Sequence, residues 1–158
     1  MAKTDLGKKF EEKFKQDWKK CFPNTFIFRL KDQLTEFKET SKNPCDFFAL
    51  PIPHKFFMIE CKEHKGASIP FAAIPQYDYL LQYKDYLYVY PGVLIWFSEK
   101  DKVIWVSIEE MEKMVLDGKK SISVKMLEEK LYNIIEIPSI KKRIFMESDY
   151  NILKDIQK

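Results

Sequence analysis

Leu6, Phe10, Phe14 and Trp18, with Cys21 and Phe22, recur three and four apart through "LGKKFEEKFKQDWKKCF". That period lines one face of an amphipathic helix, and Pro23-Asn24 ends it. "TFIFRL" (25–30) is a short β-rich run, and the polar residues 31–44 make a charged loop. "CDFFAL" and "KFFMIEC" read as two strands joined by "PIPH", whose two prolines exclude a tight two-residue hairpin and suit an irregular turn. "IPQYDYLLQYKDYL" (74–87) is a second amphipathic helix, opened by Pro75. "GVLIWFS" (92–98) and "VIWVSI" (103–108) form a hairpin across "EKDK". Ser107 with Glu110 makes a capping box for helix "IEEMEKMVLDG", stopped by Gly118. "VKMLEEKLYNIIEI" mixes a short helix with a final strand, and "YNILKDI" in the tail is a candidate last helix. The order αβββαβ predicts an α/β (α+β) fold, one mixed central β-sheet flanked by helices.

The chain has 158 residues, enough for a single core, and no internal repeat or linker divides it. Residues 1–158 are expected to form a single domain, with 138–158 as a C-terminal extension. At 46% hydrophobic and 32% charged, the composition is that of a globular protein. No apolar run approaches the ~18 residues of a membrane helix. "MAKTDLGKKF" has no apolar stretch after its charges, so a secretory signal is not expected and a cytoplasmic location is. Cys21, Cys45 and Cys61 contain no CxxC pair and read as reduced, small apolar residues. With only His54 and His64 to add, a structural zinc site lacks ligands. Four glycines argue against a Gly-rich phosphate loop, and no Ser-His-Asp, Walker or Rossmann signature is present.

A net charge of +3 does not by itself demand nucleic acid. Only Arg29 and Arg143 are arginine, and lysines serve as phosphate point charges rather than bidentate base readers. A nucleic-acid-binding role would therefore favour backbone and shape over sequence. An A+T-rich coding sequence accounts for the lysine bias equally well.

One constellation stands out. Triplets of the form [DE]-x-K begin at residues 11, 17, 36, 60, 63, 117 and 128, so the pattern alone says nothing. At Glu60, however, it ends the continuous apolar run "FFMI" and follows a strand that carries Asp46 near its start. Residues two apart on a strand share a face, so Glu60 and Lys62 project together, and Asp46 can reach them if the two strands pair. Two carboxylates in such a setting repel each other and lose hydration worth several kcal/mol, roughly. A hard divalent ion resolves that cost, and all-oxygen ligation suits Mg²⁺. An ordinary ion pair of Lys62 with Glu60 or Asp46 at a strand end is the plain alternative.

"NPCDFFAL…FFMIECKEHKGASIPFAAIPQYDYL" resembles the PD-(D/E)XK nuclease superfamily, and within it the RecU-type Holliday junction resolvases. "ECKEHKGASIPF" matches the middle of their pattern, Gln76 their helix glutamine, and Gly7 with Glu11 their first helix. The likeness spans roughly residues 5 to 130 and implies a restriction-endonuclease-like core, a single nuclease domain. It implies Asp46, Glu60 and the Cys61 backbone carbonyl as metal ligands, Lys62 as the catalytic lysine, and Glu11 reaching the metal directly or through water. Glu12 is the rival if the helix is rotated. Gln76 would touch the site or the scissile phosphate. Each has a bland reading too, Glu11 as a surface acid and Gln76 as an early-helix polar residue. RecU-type proteins carry a protruding stalk between their first strands, and residues 31–44 would be a reduced stalk or basic loop. Lys31, Lys38, Lys42 and Lys65 are candidate DNA contacts. The implied activity is that of an Mg²⁺-dependent endonuclease, Mn²⁺ substituting. It would cut branched DNA at four-way junctions as a symmetric homodimer in a bacterial or phage-infected cell, leaving 5′-phosphate and 3′-hydroxyl ends. The alternatives are another nuclease on the same core, cutting linear or flapped DNA, and a catalytically silent DNA-binding module.

Overall fold

A computed structural model of the chain describes residues 5–31 and 43–158. Helix α1 (Asp5–Cys21) is the one the three-four spacing predicts, with Phe10, Phe14 and Trp18 buried. Strands β1 (Phe26–Arg29), β2 (Phe47–Ile52) and β3 (Lys55–His64) follow as an antiparallel meander. The chain then crosses over through β4 (Ser68–Pro70), a 3-10 turn (Phe71–Ala73) and α2 (Tyr77–Leu81). It returns as β5 (Val89–Phe97), which lies beside β3 in parallel. Strand β6 (Lys102–Ser107) doubles back antiparallel, and α3 (Ile108–Leu116) leaves from its end. Strand β7 (Ser121–Ser123) pairs with β4, followed by α4 (Lys125–Glu129) and by β8 (Ile135–Glu136), which borders β6. A hairpin of β9 (Ser139–Lys141) and β10 (Met146–Ser148) and a 3-10 turn (Tyr150–Asp155) complete the described chain. The mixed central sheet runs β1-β2-β3-β5-β6-β8, flanked by helices, the fold class the element order predicts.

Strand alternation assigns the two faces. Phe47 and Ala49, Phe57, Ile59 and Cys61, and Leu94 and Trp96 point toward α1 with Trp105, and Tyr150 and Leu153 join them from the tail. Met58, Val93, Ile95, Ile104 and Val106 point the other way, under Ile74, Leu80, Ile108, Met111 and Met114 of the helical side. Because β1 and β3 both run antiparallel to β2, their C-terminal ends and the start of β2 fall at one edge of the sheet. Asp17, on the core side of α1, ties the tail down. Its carboxylate accepts from the Ser148 backbone N–H at 2.9 Å and from Lys13 Nζ at 2.6 Å.

Several local expectations need correction. Pro53-His54 does form a two-residue turn, with Ile52 paired to Lys55. Proline's fixed φ suits the first turn position, and His54 takes φ 65° at the second. The other proline, Pro51, falls where the ladder slips between Ala49 and Ile52, an irregularity that tolerates a missing N–H. The helix expected over 74–87 is helical only from Tyr77 to Leu81, after which successive turns lead into β5. Asp46 lies in a bend one residue before β2 rather than in the strand. The capping box is half-made: Ser107 Oγ accepts the Glu110 N–H at 3.3 Å, while the Glu110 carboxylate takes Lys113 Nζ at 2.6 Å and the Asn133 N–H at 3.1 Å. The last helix is a 3-10 turn, capped by Asp149 accepting from the Asn151 N–H at 3.0 Å.

Gly92 on β5 faces Trp105, and a Cβ there would lie 2.5 Å from Trp105 Cζ2 and 2.7 Å from the Val106 carbonyl oxygen. Neither backbone nor a fully buried indole can give way cheaply. Gly92→Ala is expected to lower stability by about 1–3 kcal/mol in urea unfolding, and a midpoint equal to wild type would show that β5 and β6 can shift apart.

Candidate active site

The pairing of β2 with β3 places Asp46, just before β2, beside the end of β3 that carries Glu60 and Lys62. Asp46 is held by its backbone on both sides. Its N–H donates to the Ile59 carbonyl at 3.1 Å and its carbonyl accepts from the Leu30 N–H at 2.8 Å. Its side chain turns across the sheet, and Oδ2 accepts the Cys61 N–H at 2.9 Å. The pairing of β2 with β3 thus brings Asp46 to the strand that carries Glu60 and Lys62.

Glu60 and Lys62 share the face of β3 that looks toward α2 and α3, opposite Val93 and Ile95 of β5. The Lys62 Nζ lies 3.0 Å from Glu60 Oε1, and the Glu60 side chain is only 1% exposed. A carboxylate so deeply buried loses most of its hydration, and its lysine neighbour offsets part of that cost. The two acids also act together on Cys45. Its thiol is pushed far above the ordinary range, first by burial and then by the fields of Glu60 and Asp46. Both carboxylates are therefore close enough to Cys45 to disfavour its thiolate.

Glu11 is the acid that α1 turns inward, whereas Glu12 is exposed. The Glu11 carboxylate receives Arg29 through both Nε, at 2.9 Å, and Nη2, at 2.8 Å. Arg29, at the end of β1, also donates Nη1 to the Leu30 carbonyl at 3.0 Å. Sequence reasoning singled out Glu11 but not its partner. The signal was present, since Arg29 shares a strand face with Ile27, which packs on the core. Lys8, Lys15, Glu11, Glu12, Arg29 and Phe47 line a cleft of about 380 Å³ beside this pair.

Gln76 opens α2, which packs on the same side of the sheet as Glu60 and Lys62. Its Oε1 is buried without a hydrogen-bond partner among the described residues. Lys31 is exposed just past β1, its carbonyl accepting from Asn43 Nδ2 at 2.5 Å, and Lys65 is exposed in the turn after β3. Lys38 and Lys42 lie outside the described residues. Among the described residues, no three His, Cys, Asp or Glu side chains gather as a metal cluster, so Glu11, Asp46 and Glu60 are not a ready-made three-carboxylate site. The carboxylates of Asp46 and Glu60 and the main-chain carbonyls of β3 are hard oxygen donors, the kind of ligand that Mg²⁺ takes with water filling the remaining positions.

No family model matches the chain, and no curated protein does. Among solved structures, the 1.6 Å structure of Hjc from Archaeoglobus fulgidus, a Holliday junction resolvase from an archaeal hyperthermophile, is similar in fold. The TM-score is 0.51 at 16% identity, covering 75% of this chain and 89% of that one. At that identity the likeness is one of fold, a resolvase or restriction-endonuclease-like arrangement of mixed sheet and helices. No described helix is long and apolar enough to cross a membrane.

Two substitutions separate folding roles from site roles here. Arg29→Met removes the guanidinium that donates twice to Oε2 of a buried acid, and about 3–5 kcal/mol of stability should go with it; a loss under 1 kcal/mol in urea unfolding would mean that other contacts carry Glu11. Gln76→Met keeps the volume and deletes an orphaned carbonyl. It should leave stability unchanged or raise it by about 1 kcal/mol, so a clear drop in thermal midpoint would assign Gln76 to folding.

Proposed function

We propose that this chain is a metal-dependent endonuclease acting on branched DNA, a four-way junction resolvase of the RecU-type within the PD-(D/E)XK superfamily. The observation that carries the reading is Glu60, buried beside Lys62 on β3, next to the residue whose N–H the Asp46 carboxylate accepts. The fold shared with a junction resolvase supports it.

In this reading Asp46, Glu60 and the Cys61 carbonyl hold Mg²⁺, or Mn²⁺ in its place, with Glu11 joining directly or through water. The bound ion would polarise a phosphoryl oxygen and lower the pKa of a water. Lys62, two residues beyond Glu60, steadies the attacking water or the charge developing on the phosphate. Gln76 offers its amide to the site or to the scissile phosphate from the start of α2. The products are 5′-phosphate and 3′-hydroxyl ends. A four-way junction has near two-fold symmetry, so a symmetric homodimer can set two such sites on opposing strands. Selection would rest on junction shape and phosphate contacts rather than on base edges, consistent with a chain of 27 basic residues of which only Arg29 and Arg143 are arginine. In the same reading the site of action is the cytoplasm of a bacterium or a phage-infected cell.

The test is cleavage of an end-labelled four-way junction and of its component duplex, with Mg²⁺ or EDTA. Paired nicks in opposing strands, requiring metal and reduced about a thousandfold or more by Asp46→Asn, a loss of roughly 4 kcal/mol in the transition state, are expected. Preferential cutting of linear or flapped DNA would select another nuclease on the same core. Metal-independent binding without cutting would leave a silent DNA-binding module. Independently of activity, Mg²⁺ at a hundredfold excess over its Kd should stabilise the wild type by about 2.7 kcal/mol and fail to stabilise Asp46→Asn. An equal effect on both would place the ion elsewhere.

A further inference from the structure

The small sheet of β4 and β7 has no part in the site as described, yet its position and surface are distinctive. Strand β4 follows the turn that leaves the active strand β3, and β7 follows the C-terminal end of α3. Helix α3 starts where β6 ends and runs back over the face that carries Glu60 and Lys62. The pairing is Ser68 with Ser123, Ile69 with Ile122 and Pro70 with Ser121. Ile69 and Ile122 are buried, 2% and 0% exposed, and pin the sheet to the core on that same face. Alternation then turns Ser68, Pro70, Ser121 and Ser123 outward. The Ser68 and Ser121 hydroxyls bond each other at 2.8 Å. The outer surface is therefore low, polar and free of bulky side chains.

Lysines stand at both ends of this surface. Lys65 precedes β4 by a short turn, and the Val124 N–H donates to the Ala67 carbonyl at 2.9 Å on that side. At the other end Lys119 and Lys120 enter β7. The Lys119 N–H donates to the Met114 carbonyl at 2.9 Å and the Lys120 carbonyl accepts from the Phe71 N–H at 3.1 Å. All three side chains are exposed, and none has an ion-pair partner among the described residues. Lysines flanking the region are paired, Lys84 with Glu112, Lys113 with Glu110 and Lys125 with Glu129. Two nearby acids are engaged, Glu63 by the Ser98 hydroxyl and Asp117 by the Tyr132 hydroxyl.

From the Ala67–Val124 end of the paired segment to its Phe71–Lys120 end the separation is roughly 13 Å at strand rise. A single small anion cannot reach both ends. A nucleic-acid strand, with a phosphate about every 3.4 Å of helix axis, can. We infer that the β4–β7 surface, with Lys65, Lys119 and Lys120, is a phosphate-tracking ledge that carries one DNA strand away from Glu60 and Lys62. The inference rests on the nuclease reading and adds a contact surface to it. Its backbone is fixed on both sides by main-chain hydrogen bonds, so the lysines meet the strand with little ordering of the chain.

The test is equilibrium binding of a labelled four-way junction and of its duplex arm in EDTA, across a series of salt concentrations. The full chain is compared with the triple variant Lys65→Gln, Lys119→Gln, Lys120→Gln and with the corresponding Lys→Arg triple. A phosphate ledge requires the Gln variant to lose about 0.9 in the slope of log K against log salt for each contact removed, two to three in all. Affinity should fall at least about tenfold at low salt, alike for junction and duplex, and the Arg triple should restore the slope. Thermal midpoints within about 2 °C of wild type confirm that the variants are folded, as expected for exposed turn residues. An unchanged slope in the Gln variant, with wild type binding normally, overturns the ledge and leaves the nuclease reading intact. Absence of any DNA binding by wild type overturns both.

Discussion

Two parallel strands cannot be joined by a tight turn, and the β3–β5 ladder is where this chain meets that constraint. Nine consecutive residue pairs from Phe56–Val89 to His64–Phe97 hold the ladder at the middle of the sheet. The chain must leave the edge at His64, travel over one face and start again at Val89. What it carries on that journey is β4, a 3-10 turn and α2, and these cover the face onto which Glu60 and Lys62 project. Every other element is arranged around this crossover: the β1-β2 meander on one flank, the β5-β6 hairpin on the other, and α1 across the opposite face.

The same constraint explains why charge could be placed so deep. A strand covered on both faces reads as a continuous apolar run, and "FFMI" does so. At Glu60 the run is broken by a carboxylate that the fold buries almost wholly. Replacing such a pair with apolar residues often raises stability by about 1–4 kcal/mol, so stability does not call for Glu60. The fold instead invests in holding these groups. Asp46 is fixed by two backbone bonds and a side-chain bond, Glu11 is clasped by Arg29, and Lys62 stands against Glu60. Such rigid holding of opposed charges is what a site acting on a phosphate would use.

Much of this was legible in residue order because local periodicity decided it. The spacing of Phe10, Phe14 and Trp18, the runs around Phe57 and Leu94, and the stop at Gly118, with φ 80°, all carry their own geometry. What was not legible depends on distant partners. Glu11 and Glu12 are adjacent, and only packing against the sheet turns one inward. Arg29 shows its strand face but not that Glu11 waits for it. The three-residue strands β4 and β7 make sense only once Ser68 and Ser121, 53 positions apart, are brought together. The tyrosine-rich segment after Gln76 carries helical spacing, yet the chain must turn after Leu81 to reach the start of β5, and that requirement overrides propensity.

Helix α1 packs against residues made long after it, Ser148 lying 131 positions beyond Asp17. Phe14 and Trp18 touch Tyr150, and Asp17 receives the Ser148 N–H. While the chain is being made, α1 and the strands it covers can assemble, but one side of their shared core stays open to water until Leu153 has emerged. The hydrophobic surface left waiting includes two large aromatic rings, the kind of surface that chaperones hold and that neighbouring nascent chains find. A protein built this way trades early independence of α1 for a closure that waits on a segment well over a hundred residues downstream.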